Sequence, residues 1–360
     1  MTTPTARLNA TLAALAAATA AAAGISVAPQ IASTLLTSDA RTLAVAPLVA
    51  GPTVRPEPAT ADGPYSRLWS ITYTAHNGLD RPAVVIVPGK YSARNQTPPL
   101  PLVISPHGRA GTGLSNSRYW GDLPGRAGFV VVNPDGMGRK LKYFSYGHPG
   151  QIDDLADMPQ IVERALPWLR IDRSRVYALG SSMGGQETLM LVARHPEVLA
   201  GAAAMDSVTD LARRYGQLPS VPCDKRCIER YGESRGVNLQ SVMRREVGGT
   251  PGNAPAAYAD RSAISQARAI AASRVPLQIW WSTEDRIVSD QAHQSEALFR
   301  ELRRLDPTAP ISAYRGRWAH SSEMRARALL SFALEDFGLL PDGGRLPASV
   351  RHVAAPSVTL

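Results

Sequence analysis

Lysine, cysteine and long apolar runs are scarce in this sequence. Lys90, Lys140, Lys142 and Lys225 are the only lysines among 39 basic residues, so arginine carries most of the net charge of +9. The arginines are scattered, and no block of like charge marks a nucleic-acid-binding tail. The excess is read as a solvated Arg-rich surface, with no nucleic-acid partner. Beyond residue 25 no stretch is long and apolar enough to span a bilayer, so no stable membrane insertion is expected after processing. No H-E-x-x-H or G-x-x-x-x-G-K-[ST] occurs, and Gly136-Met137-Gly138 lacks the third glycine of a dinucleotide fingerprint. No metal or cofactor is expected. Internal repeats are absent at periods of about 20 to 50 residues.

What remains is a chain of 360 residues with 44% hydrophobic content, enough for a sizeable core, which excludes disorder and a collagen-like architecture. Arg7 precedes a mostly alanine and leucine stretch at residues 8–25, with small residues at Ala21, Ala22 and Ala23. That order suits a secretory signal and predicts a secreted, extracellular protein. Residues 40–64 turn rich in Pro, Ala, Thr and Gly and are read as a linker, so that leader and linker occupy residues 1–63. A single catalytic domain is expected over residues 64–340, followed by a loose tail over 341–360.

Within the domain, residues 68–75 and 81–87 flank Asn77-Gly78 and predict an antiparallel hairpin. Apolar runs follow at 102–105, 129–133, 176–179, 200–205, 277–281 and 311–314, with helical patterns at 152–169, 186–194, 291–305 and 321–337. Strands apolar on both faces and separated by helices argue for an α/β fold: a mostly parallel, eight-stranded sheet with helices on both sides.

The chemistry centres on Gly180-Ser181-Ser182-Met183-Gly184, a G-x-S-x-G match directly after the strand at 176–179 and before a helix. A sharp strand-to-helix turn needs small neighbours, which Gly180, Gly184 and Gly185 supply, and it lifts the Ser182 hydroxyl out of the sheet. Serine is a weak nucleophile at neutral pH and needs a base oriented by a carboxylate. In the order Ser, Asp, His, the acid is Asp285 on the loop after 277–281, with Asp206 as its competitor. The base is His320, before the last helix. Oxyanion donors are the amides of Met183 and of Arg109, the latter in Ser105-Pro106-His107-Gly108-Arg109, where His107 is read as loop-shaping. His148 sits in a Gly/Pro loop and is assigned to the surface, while His76, His195, His293 and His352 are ordinary structural or surface residues. Trp280 and Trp281 must face opposite sides of a strand. Trp120, Tyr143, Phe144 and Trp318 are candidates for a substrate pocket, with buried filler as the alternative for each.

These residues resemble the α/β-hydrolase superfamily. The resemblance rests on Pro106-His107-Gly108, Asn133-Pro134-Asp135-Gly136, Asp153-Asp154, Ile171-Asp172-Arg173-Ser174-Arg175-Val176-Tyr177, the Ser182 elbow, the Asp285 loop and His320. More narrowly, the chain is similar to secreted esterases related to polyhydroxybutyrate depolymerases and feruloyl esterases, and to the prolyl oligopeptidase catalytic domain. The resemblance implies Ser182, Asp285 and His320 as nucleophile, acid and base, and Arg109 with Met183 as oxyanion amides. Met183 inside the elbow and the presence of only two cysteines depart from the depolymerase pattern, and the chain has no room for a propeller. Cys223 and Cys227 lie in an insertion at 206–260 that is expected to cap Ser182. Their i, i+4 spacing permits a disulfide if the local turn adjusts, with two reduced thiols as the alternative. No histidine lies beside them to suggest zinc.

The expected activity is hydrolysis of carboxylic esters, small or polymeric, through an acyl-enzyme. A prolyl oligopeptidase-type peptidase and a catalytically silent binding protein are the alternatives. The oligomeric state is left open.

Overall fold

A computed structural model describes residues 55–56, 65–92, 94, 98–109, 111–136, 145–221, 223–225, 228–229, 235–320, 322, 328–341 and 350–354. The residues read as leader, together with Tyr143, Phe144 and Cys227, lie outside this set. Among the described residues no helix is long and apolar enough to cross a membrane.

Ten strands form one sheet: β1 (Arg55–Pro56), β2 (Ser66–Thr74), β3 (Asp80–Pro88), β4 (Leu100–Ile104), β5 (Val130–Pro134), β6 (Ile171–Ser181), β7 (Gly201–Met205), β8 (Leu277–Ser282), β9 (Ile311–Gly316) and β10 (Arg351–His352). Their order is β1-β2-β3-β5-β4-β6-β7-β8-β9-β10. The eight expected strands are β2 to β9. The two additions are two-residue antiparallel edges formed within the segments read as linker and tail. Such short pairings leave no periodic signature, and an edge position is where Pro56 can join a strand.

The hairpin at β2 and β3 closes through Asn77-Gly78. Gly78 takes φ 75° and its amide donates to the Ala75 carbonyl at 2.8 Å. β3 pairs antiparallel with β5, while β4, β5, β6, β7, β8 and β9 pair in parallel. The chain leaves β4 to build β5 on one side and returns to build β6 on the other. This places the loops after β4 and β6 side by side at the carboxyl edge of the sheet, where open α/β sheets bind ligands.

Helices cover both faces. They are α1 (Gly113–Trp120), α2 (Leu123–Ala127), α3 (Pro149–Ala156), α4 (Met158–Ala165), α5 (Met183–Arg194), α6 (Leu211–Gln217), α7 (Arg235–Val247), α8 (Pro255–Asp260), α9 (Ala267–Ala272), α10 (Ser295–Leu305) and α11 (Ala328–Asp336). The helix expected over 152–169 is two, α3 and α4, divided at Asp157 with Pro159 in the first turn of the second. Proline lacks the amide needed to continue a helix but suits its start. The pattern at 291–305 likewise begins as a 3₁₀ turn before α10. α1 and α2 were not foreseen, being short and weakly apolar.

Side chains alternate across the sheet. Val85, Ile104 and Trp281 join Leu191, Leu298 and Phe299 on one face, whereas Ile86, Val103 and Trp280 join Trp120, Phe129 and Leu334 on the other. Both adjacent tryptophans are therefore core packing. A third apolar cluster lies between β7 and β8 and is built from Leu211, Leu218, Leu239, Met243 and Tyr258. Tyr146 and Val288 join it from elsewhere in the chain.

Candidate active site

β6 ends at Ser181 and α5 begins at Met183, leaving Ser182 to make the turn alone at φ 61° and ψ −121°. A non-glycine residue in that conformation costs roughly 1–3 kcal/mol and persists only where its surroundings dictate it. Here the Ser182 amide donates to the Met205 carbonyl at 2.9 Å, and its carbonyl accepts the Gln186 amide at 3.0 Å. A Cβ on Gly180 would lie 2.4 Å from the Gly184 carbonyl oxygen, and one on Gly184 would lie 2.2 Å from the Pro106 carbonyl oxygen. The glycines thus let the start of α5 press against both β6 and the loop after β4.

That packing brings the loop after β4 onto Ser182. A Cβ built on Gly108 would sit 3.8 Å from the Ser182 Cβ, and Arg109 and Met183 line the same cavity as Ser182. Met183 is the first residue of α5, so its amide has no acceptor within the helix and is available to a developing anion. His107 is buried, with Nδ1 at 2.8 Å from the Gly108 carbonyl oxygen and Nε2 at 2.5 Å from the Asp135 carbonyl oxygen. It holds the loop in shape and does not serve as a second base.

His320 Nδ1 lies 2.7 Å from Asp285 Oδ2, and the two side chains are 14% and 0% exposed. Because a carboxylate only accepts, this bond assigns the proton to Nδ1 and leaves Nε2 as the basic nitrogen. Asp285 is fixed in turn by the amides of Ile287 and Val288, which donate to Oδ1 at 2.8 and 2.9 Å, and by Gln291 Nε2 at 3.3 Å from Oδ2.

Asp206 does different work. Its Oδ1 accepts the Ser282 amide at 2.9 Å and its Oδ2 accepts the Trp318 indole N–H at 2.7 Å. The Ser282 hydroxyl donates to the Trp318 carbonyl at 2.6 Å and accepts the Trp318 amide at 2.8 Å. These bonds tie the ends of β7 and β8 to the loop that carries His320. Asp206, Asp285 and His320 also bring ligand-type atoms within 4.8 Å of one another. The N–H groups already aimed at both carboxylates suit a hydrogen-bonded acid and base better than a cation.

The remaining histidines are structural. His148 accepts the Gly150 amide at 3.2 Å and stacks on His76 at 5.1 Å, away from the cavity. Burial and the neighbouring Arg261 pull it down to about 4, so it is neutral at physiological pH. His76 bonds Asp154, His195 bonds Asp153 and His293 bonds Asp290. His352 lies on edge strand β10 against the Tyr314 ring.

A cavity of about 320 Å³ opens over Ser182 and His320. Trp120 and Trp318 are buried filler and do not line it. Tyr119 and Tyr146 do, with Val208, Arg214, Leu218 and Met243 from the segment between β7 and β8. None of these was read from the sequence. Arg214 alone left a signal, the same helical face as Leu211 at i, i+3.

The family model of the prolyl oligopeptidase family matches residues 122–334, more than half of the chain. The chain belongs to the prolyl oligopeptidase family. The proteins it is similar to are not all named as peptidases. The sequence is 33% identical over 110 residues to poly(3-hydroxyalkanoate) depolymerase C of Paucimonas lemoignei, covering 29% of this chain and 27% of that one. It is 30% identical over 133 residues to the putative esterase NocK of Nocardia uniformis subsp. tsuyamanensis, covering 36% of each. The chain therefore spans between a quarter and two-fifths of the length of these curated relatives. Among solved structures, Porphyromonas gingivalis dipeptidyl peptidase 4 superposes with a TM-score of 0.56 at 20% identity, over 76% of this chain and 36% of that one. An S-formylglutathione hydrolase from Agrobacterium tumefaciens superposes with a TM-score of 0.53 at 17% identity, over 77% and 97%. At those identities the likeness is one of fold, the α/β-hydrolase fold.

Proposed function

We propose that the protein is a secreted hydrolase of carboxylic esters that works through Ser182, His320 and Asp285. The observation that carries the reading is the Asp285–His320 bond at the rim of the cavity into which the strained Ser182 turn points. Ser182 Oγ attacks the ester carbonyl carbon as its proton passes to His320 Nε2. The carbonyl oxygen, now anionic, accepts the Arg109 and Met183 amides. Collapse of the tetrahedral species breaks the bond to the alcohol, which leaves with the proton from His320. Water, deprotonated by the same nitrogen, then releases the carboxylic acid and restores Ser182. Asp285 keeps Nδ1 protonated and balances the imidazolium charge.

The esterase and depolymerase names of the two sequence relatives support ester over peptide. The prolyl oligopeptidase family and the dipeptidyl peptidase fold likeness favour the second reading, a peptidase. Export is supported by the order of residues in 8–25, and a Cys223–Cys227 bridge rests on the i, i+4 spacing of the two cysteines alone. Wild-type protein and Ser182→Ala, assayed on aryl esters beside proline-containing peptide amides, test the reading. Ser182-dependent cleavage confined to esters is expected, and cleavage confined to peptides would overturn it. Reaction with a fluorophosphonate separates both enzymes from a silent binding protein. Appearance of the mature chain in culture medium tests export.

A further inference from the structure

Two consecutive arginines on α6 have opposite surroundings. Arg213 is exposed and its guanidinium donates to Asp290 Oδ2 through Nε at 3.0 Å and Nη2 at 2.6 Å. Arg214 points the other way, with Leu211, and is 4% exposed. It lines the Ser182 cavity, and its Nη1 is buried with no hydrogen-bond partner among the described residues. Other buried arginines find at least one acceptor: Arg81 donates through Nη1 to Gln151 and Asp154, although its Nε and Nη2 go unmatched among the described residues, and Arg261 donates to the Ser145 and Glu246 carbonyls.

Removing a guanidinium from water without a counter-charge is costly, so an orphaned buried N–H group calls for a missing acceptor. Burial and the like charge of Arg109 lower the Arg214 guanidinium to about 10, which still leaves it cationic at neutral pH. The neighbouring acid, Asp285, is already taken by His320, two amides and Gln291. Arg109 lines the same cavity, and among the described residues no aspartate or glutamate does. Val208, Leu218 and Met243 line the wall around Arg214 and suit a short methylene chain.

We propose that Arg214 binds a carboxylate on the substrate, making this hydrolase selective for esters that carry an acid group within a few methylenes of the scissile bond. The substrate class rests on the ester reading above; the anion site does not. A planar carboxylate matches the guanidinium fork and fills the missing acceptor, which a neutral ester of the same length cannot do. The carboxylate can belong to the acyl chain or to the alcohol, and separate substrates tell these apart.

The test compares kcat/KM for the mono-4-nitrophenyl ester of adipic acid with 4-nitrophenyl hexanoate, and for 4-acetoxybenzoate with 4-acetoxybenzamide. Wild-type protein is expected to favour the anionic member of one pair by about tenfold or more, as a charge-assisted bond in a buried site should. The acyl pair or the alcohol pair shows which side carries the acid. Arg214→Met should abolish that ratio and Arg214→Lys should keep part of it. Equal rates within both pairs in wild-type protein, or a preference that survives in Arg214→Met, would overturn the proposal. Binding is read separately by calorimetry of adipate against Ser182→Ala, with and without Arg214→Met. Adipate binding that depends on Arg214, together with no ester cleavage by wild type, would sink the ester reading and leave the anion site. Ester cleavage without charge preference or adipate binding would do the reverse.

Discussion

The loops at the carboxyl edge of the sheet and the segment between β7 and β8 meet at one cavity but are built on different physics. In the loops the key side chains are hydrogen-bonded: Asp285 accepts from four donors, Asp206 ties three chain segments together, and His107 bridges two carbonyls. The segment opposite is held by an apolar cluster around Leu211, Leu239 and Met243, and presents a buried arginine whose Nη1 has no acceptor among the described residues. Saturated hydrogen bonding preorganises groups that must not move during the reaction. An apolar wall with one unmatched charge leaves its contacts to be completed by a ligand.

Substitutions on each side should separate these roles. Ser182→Ala should lower kcat on an aryl ester by about 10⁴-fold or more, with thermal stability close to wild type because alanine keeps the Cβ and the positive-φ turn. Asp285→Asn should cost about 10³- to 10⁴-fold in kcat, because the amide favours the wrong imidazole tautomer. Asp206→Asn sharpens the contrast. It turns an N–H group toward the Ser282 amide or the Trp318 indole, and should cost about 1–3 kcal/mol of stability in a denaturant titration, with a smaller loss of kcat than Asp285→Asn.

On the opposite wall, Met243→Ala should destabilise by about 2–4 kcal/mol, read by denaturant midpoint, because Met243 is fully buried. It should also raise KM for longer acyl chains more than it lowers kcat. A loss of kcat as large as that of Asp285→Asn would erase the distinction between the two regions.

Beneath the elbow, Glu187 lies buried on α5, where desolvation pushes its carboxyl up to about 7 while the Ser145 hydroxyl donates to it. The folded state therefore holds this proton more tightly than the unfolded chain. Its contribution to stability is present at acidic pH and is lost as pH rises from the ordinary carboxylate range through about 7. Glu187→Gln should gain on the order of 1–3 kcal/mol relative to wild type between pH 5 and pH 8, measured by denaturation at both. The smallest effect belongs to Arg213→Ala, which breaks an exposed ion pair and should change stability by under about 1 kcal/mol, with the substrate charge preference intact.

Local features were legible in the sequence because their physics is local. Strands β2 to β9 declare themselves by short apolar runs, and the elbow by glycines flanking Ser182 at a strand-to-helix junction. His320 stands out because the other histidines sit on helices, turns or edges. The split of α3 from α4 was also written in the chain, as Pro159, but the apolar repeat running through it conceals the break. Asp285 and Asp206 both follow a strand, and the sequence favours Asp285 with Asp206 as its competitor. The hydrogen bonds show what each one holds: His320 for Asp285, and Ser282 with Trp318 for Asp206.

The sequence by itself determined the alternation of strands and helices, the strand-to-helix turn that carries Ser182 and the loops that carry Asp285 and His320, since periodicity and turn chemistry depend on neighbours a few positions apart. Tertiary structure alone decided what Asp206 holds, which aromatics line the cavity and which arginine enters it. Arg213 and Arg214 are chemically identical and adjacent, and a rotation of about 100° along α6 gives Asp290 to the first and the Ser182 cavity to the second. Burial and partnership are set by packing between segments far apart in the chain, which spacing along it does not encode.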